Sequence, residues 1–127
     1  MSDIREIMTA DPNICTPLTS IENIEKLMAD TNSREIVVVD TIEEKHVVGM
    51  INKSDIDAMA EAREVKHESL NAEQCMRPII FQVRETTPIE ECDRILKANK
   101  IDHLVIVDEE GHLCGLYNPA GLLPIEQ

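Results

Sequence analysis

The side chains with chemistry to offer in this 127-residue chain are four cysteines, four histidines and 25 carboxylates, and their spacing decides what they can do. His112-x-Cys114 could supply two metal ligands. No second pair lies close in sequence, Cys114 falls in a predicted strand, and a structural zinc needs four ligands, so no metal site is expected. Cys15, Cys75, Cys92 and Cys114 form no C-x-x-C pair and read as free thiols of a reducing compartment, with Cys15 a buried structural thiol beside the first short strand. Ser20, Ser33, Ser54 and Ser69 each fit a cap or a turn. No nucleophile with a base and an orienting group is visible, and no glycine-rich phosphate loop occurs, so the sequence predicts no enzyme.

Composition narrows the partners. The formal charge is −13, from 25 acidic and 12 basic side chains, which repels nucleic acid at long range and makes any anionic ligand depend on a local positive pocket. With one Phe, one Tyr and no Trp there is no aromatic platform for stacking bases of a single strand. No apolar run approaches the ~20 residues of a membrane span. The N-terminal MSDIREIMTAD lacks the basic and apolar regions of a signal peptide, so a cytoplasmic location is expected, with no nucleic-acid and no membrane partner.

The elements that must position any site are written twice. Met8 recurs at Met76, an offset of 68 that holds to Asp40 and Asp108. Thr19-Ser20-Ile21-Glu22 matches Thr87-Pro88-Ile89-Glu90, and Ile36–Asp40 matches Leu104–Asp108. Beyond a longer turn in the first copy the offset is 66, so Gly49 meets Gly115 and Asn52 meets Asn118. Thr19 and Thr87 are read as N-caps with Glu22 and Glu90 closing capping boxes, and Pro88 as the first helical residue. Ile21, Ile24, Leu27 and Met28, like Ile89, Cys92, Ile95 and Leu96, fall on one helical face. A strand buried on both faces follows, then an acidic turn (Asp40 to Lys45, or Asp108 to His112) and a second strand over His46–Ile51 or Leu113–Tyr117. Ser54-Asp55 can cap a closing helix to about Ala62, and Pro124 cuts its second-copy counterpart short. The expected organisation is repeat 1 over 1–62, a polar linker over 63–69 and repeat 2 over 70–127. One copy of about 60 residues has a marginal core, so the two should share one.

Two in-register copies of Met, capped helix, V-V-V-D strand and Gly-x-x-x-x-x-Asp resemble the CBS (cystathionine β-synthase) domain, from Ile4 to about Leu122. The resemblance implies an α+β fold of two β-α-β-β-α repeats, packed sheet to sheet with pseudo-twofold symmetry as a Bateman module. It also implies pairing of modules, here a homodimer. No cofactor is required. The regulatory ligands it implies contain adenosine: AMP, ADP, ATP or S-adenosylmethionine, with an AMP-like ligand favoured, bound between the two repeats.

By the same resemblance Asp55 takes the ribose hydroxyls, and an ionised carboxylate suits a diol because it accepts two hydrogen bonds. Asp55 as a plain helix cap is the alternative. Asn52 stands where the family has Thr, and Met50 lies against the base. Ile80 and Phe81, on the first strand of the other copy, complete the base pocket. Arg34 and His103 are the phosphate candidates, although Asp102 replaces the polar or basic group the family carries there, and Arg34 could simply pair with Glu35. Gly121 stands in place of the second-copy carboxylate, so at most one good nucleoside site is expected. The expected function is a ligand-sensing module that signals to an unknown regulated protein, and the alternative is a ligand-free dimerisation or interaction module.

Overall fold

The computed structural model describes residues 4–79, 81–101 and 103–118. Ile80, Asp102, Pro119, Gly121 and Pro124, with the closing helix expected for the second copy, lie outside the described residues. The chain divides into two compact units: a central unit of residues 13–79, and a terminal unit that joins residues 4–12 to 81–118.

In the central unit, β2 (Ile14–Cys15) leads to α2 (Ile21–Thr31), β3 (Glu35–Val39), β4 (Val47–Asn52) and α3 (Lys53–Arg63). A 3-10 turn at His67–Ser69 and the short helix α4 (Ala72–Cys75) follow. The sheet runs β2-β3-β4, with β2 parallel to β3 and β3 antiparallel to β4. In the terminal unit, α1 (Ile4–Ile7) and β1 (Thr9–Ala10) join β5 (Gln82–Arg84), α5 (Ile89–Asn99), β6 (Leu104–Val107) and β7 (Leu113–Tyr117). Its sheet runs β1-β7-β6-β5.

The expected helical faces are the buried ones. Ile21, Ile24 and Met28 of α2 join Ile36, Val38, Ile51 and Ile56 in one cluster; Cys92 and Leu96 of α5 join Leu104, Ile106 and Tyr117 in the other. The alternate residues Val37, Val39, Val105 and Val107 are buried as well, as a strand covered on both faces requires. Helices α2, α3 and α5 all end on a left-handed residue (Asn32, Glu64 and Lys100, φ 54–57°), and the following amide reaches back to the last turn. Ser33 N–H donates to the Met28 carbonyl at 2.9 Å, a C-terminal closure made without glycine.

The helix starts correct the sequence reading, by one residue at α2 and α5 and by two or three at α3. Ser20, not Thr19, caps α2, accepting from the Asn23 amide at 3.1 Å, because the Thr19 hydroxyl is taken by the Thr16 amide. Pro88 occupies the cap position of α5 and has no side chain with which to cap, so the Thr87–Glu90 box does not form. At α3 the cap is Asn52, and Asp55 is the third helical residue rather than the cap.

The repeat is tighter than the sequence alone suggested. Helices α1 and α4 stand 68 residues apart, each four residues long. Thr9 pairs with Leu116 across β1 and β7, and Arg77 pairs with Met50 on β4 in the same manner. This explains Met8 and Met76 together with the two glycines. A Cβ on Gly49 would lie 2.8 Å from the Arg77 carbonyl and 2.9 Å from Met76 Sδ. A Cβ on Gly115 would lie 2.6 Å from the Thr9 carbonyl and 2.7 Å from Met8 Sδ. The acidic turns match too: Asp40 accepts from the Thr41 and His46 amides, Asp108 from those of Glu110 and His112, and each carboxylate meets its histidine Nδ1 at 2.9 and 3.2 Å. Burial pushes the Asp40 carboxyl up, but its bonds from His46 and Thr41 outweigh that and hold it below the ordinary value. For Asp108 the His112 amide is the largest influence, and it too is held low.

Candidate functional site

The C-terminal end of β4 and the first turn of α3 gather the polar groups. Asn52 Oδ1 accepts the Asp55 amide at 2.9 Å and the Ser54 hydroxyl at 2.8 Å. Asp55 Oδ2 accepts the Asn52 amide at 2.9 Å, completing a reciprocal capping box. The same oxygen accepts Arg77 Nε at 2.8 Å. The Asp55 side chain is 15% exposed and that of Arg77 is 52% exposed, so a half-open cation meets a mostly buried anion. The carboxylate also acts beyond its bonds: burial first, then the Asp55 charge, pushes the Cys75 thiol up.

Arg77 was not among the residues singled out from the sequence. A signal existed in the repeat itself, since Arg77 occupies the place of Thr9, and Thr9 lies on the strand next to the second glycine. What the sequence lacked was the register. Arg77 N–H donates to the Met50 carbonyl and Met50 N–H to the Arg77 carbonyl, both at 2.9 Å, which sets the guanidinium beside Asp55.

Of the expected site residues, Asn52 and Asp55 are in direct contact. Met50 is buried on β4 with Arg77 as its backbone partner. Arg34 is exposed and directly precedes Glu35, whose register partner is Asn52, so it stands at the same end of the sheet. Phe81 and His103 belong to the terminal unit. Phe81 precedes β5 instead of lying on it, because the ladder to β6 begins at Gln82. His103 Nε2 lies 3.1 Å from the Asn118 side-chain amide, so the repeat counterpart of Asn52 is joined to a histidine where Asn52 is joined to Asp55. Ile80 is outside the described residues.

The cysteines offer no reactive centre. Cys15 is buried in β2 and its thiol is pushed up to about 12 by burial; burial is also the largest influence raising Cys92 and Cys114. Cys114 Sγ donates to the His112 carbonyl at 3.7 Å, and His112 Nδ1 lies 3.2 Å from Asp108 Oδ2.

The CBS-domain family model matches residues 4–59 and 72–123. This chain belongs to the CBS-domain family. Two matched copies in one chain make it a tandem CBS protein, a Bateman module, and the family boundaries follow the sequence repeats where the compact units exchange their ends. It is 32% identical over 113 residues to the inosine-5'-monophosphate dehydrogenase of Thermoplasma acidophilum, covering 89% of this chain and 20% of that enzyme. The chain thus spans about a fifth of the length of that curated relative. Among solved structures it resembles CBSX2 of Arabidopsis thaliana in complex with AMP (22% identity, TM-score 0.78, covering 97% of this chain and 94% of that one). It also resembles the CBS domain pair of protein MJ0100 in complex with 5'-methylthioadenosine and S-adenosylmethionine (22% identity, TM-score 0.75, 92% of each chain). Among the described residues no helix is long and apolar enough to cross a membrane.

Proposed function

We propose that this CBS protein is a non-catalytic regulatory module that binds an adenosine-containing ligand, AMP-like by preference, and passes the bound state to a partner protein. The observation that carries the reading is the Asp55 carboxylate, held by the Asn52 amide at the head of α3 with a cation beside it. Among the described residues both bonds it accepts fall on Oδ2, so Oδ1 is the oxygen offered to a ribose diol. Met50 would pack against the base, and Arg34, at the same sheet end, would take a phosphate. The AMP and S-adenosylmethionine complexes of structurally similar CBS proteins support the ligand class. Ligand binding would bias the arrangement of the repeats, and a partner that distinguishes the two states would read it. Self-association as a homodimer is part of the proposal.

The test is thermal unfolding against AMP, ADP, ATP, adenosine, S-adenosylmethionine and NAD, with Asp55→Ala alongside. A ligand at 100 times its Kd that binds only the folded state adds about 2.7 kcal/mol. Asp55→Ala also removes half of a capping box, so its melting point falls without ligand; the decisive quantity is the ligand-induced shift, which is expected to vanish. One feature favours a second reading. Arg77 already neutralises Asp55, as a ligand-free interaction module would require, and in that case no adenine compound shifts the melt and self-association is indifferent to nucleotides.

A further inference from the structure

Resting on that reading of Asp55, we propose that Arg77 is the residue that makes this site select a nucleotide over a nucleoside. Three observations combine. Arg77 Nε and the Asn52 amide share Asp55 Oδ2, at 2.8 and 2.9 Å, so a ribose diol that places one hydroxyl on Oδ1 meets Arg77 as a competitor for Oδ2 with its other hydroxyl. The Arg77 backbone is locked to Met50 by two reciprocal bonds of 2.9 Å, so the guanidinium pivots from a fixed point and only side-chain torsions move. Among the described residues Asp55 is the only group bonded to the Arg77 side chain, through Nε alone. Among the described residues neither terminal amino group of the fork has a hydrogen-bond partner, and the pair has the geometry that grips phosphate with two bonds.

The consequence is a conditional exchange. A nucleoside that claims Asp55 weakens the Arg77–Asp55 pair and gives Arg77 nothing back, leaving a cation whose partner is shared. A nucleotide brings a phosphate that the same guanidinium can take as Asp55 turns to the diol. The ion pair is therefore a latch opened by a ligand carrying both a diol and an anionic group. Arg77 has Thr9 as its repeat counterpart, so only one repeat carries the latch.

The experiment measures AMP and adenosine affinities by calorimetry on the full chain, for the wild type and for Arg77→Gln, Arg77→Lys and Arg34→Gln. In Arg77→Gln the AMP affinity should fall by about tenfold or more, the worth of one charge-assisted hydrogen bond, while adenosine affinity holds or rises. Arg77→Lys keeps the charge and guards against loss of fold, and should retain part of the preference. Arg34→Gln should weaken AMP without improving adenosine, because it leaves the Arg77–Asp55 pair intact. Adenosine binding gained only in Arg77→Gln would also support the latch. Equal losses for AMP and adenosine in Arg77→Gln would overturn it, since Arg77 would then merely hold Asp55 in place. If the wild type binds AMP and Arg77→Gln binds both ligands unchanged, the latch fails while the adenosine reading stands. If neither protein binds either ligand, the adenosine reading itself fails, and the latch with it.

Discussion

Asn52 and Asp55 exchange hydrogen bonds across the first turn of α3, and each has a second duty: Asn52 holds the Ser54 hydroxyl and Asp55 holds Arg77. A family position usually filled by Thr is thus occupied by another good N-cap, and the departure noted from the sequence is structurally neutral at this turn. Asn52→Ala should cost about 1 kcal/mol, lowering the melting temperature by about 4 °C, while Asn52→Thr should restore most of it. Thermal melts followed by circular dichroism check this, and an unchanged Asn52→Ala melt would mean the cap contributes nothing. Asp55 supports the helix start as its third residue rather than as the cap. Its Oδ2 accepts the Asn52 amide and Arg77 Nε, and Oδ1 is the oxygen we propose for a ligand.

At the scale of elements, a short segment crosses the middle of a strand in each unit and removes the space for a side chain below it. Gly49→Ala and Gly115→Ala should each destabilise by about 1–3 kcal/mol or more, the range for overpacking, with Gly115 the more sensitive because its nearest obstacle is at 2.6 Å. Shortening the methionine should not rescue either change: in Gly115→Ala with Met8→Ala, the Thr9 carbonyl still stands in the way, and backbone cannot yield as a thioether can. Denaturant titrations decide this, and a rescued double variant would show that sulfur, not backbone, sets the limit. The glycines of the repeat are therefore packing residues. The acidic turns are likewise built from within, each Asp collecting the amides of its own turn.

For the molecule as a whole, the sequence repeats and the compact units do not share boundaries. Leu70, Ala72 and Cys75, placed in repeat 2 by sequence, lie in the core of the central unit. The Leu70 carbonyl accepts the Ile21 amide at 3.0 Å, and the Ala72 and Glu73 amides donate to Thr19 and Pro17. Ile4 reciprocates in the terminal unit. A fragment of residues 13–79 should therefore melt cooperatively, though with the marginal stability of a chain of about 70 residues. A fragment of residues 1–62 should not, because it lacks the segment that closes its core. Circular dichroism on both fragments distinguishes the cases, and a folded 1–62 would show that the exchanged segment is dispensable.

Much of this was fixed by the chain's own patterns. Helical faces at Ile21–Met28 and Ile89–Leu96, doubly buried valine strands, the Asp turns and two CBS copies were all legible because periodicity and internal repetition are local or linear properties. The family, and with it the class of fold, followed from them. Capping positions shifted, by one residue at α2 and by up to three at α3, because Ser20 and Thr19, or Asn52 and Asp55, are equally good caps by type, and only the backbone decides which oxygen faces the open amides. Arg77 went unread for a different reason. Its place depends on Met50, 27 residues earlier, through a bridge that no local pattern encodes. Which cation meets the Asp55 carboxylate, and which end of the chain completes each core, are consequences of long-range register, and those the tertiary structure alone decided.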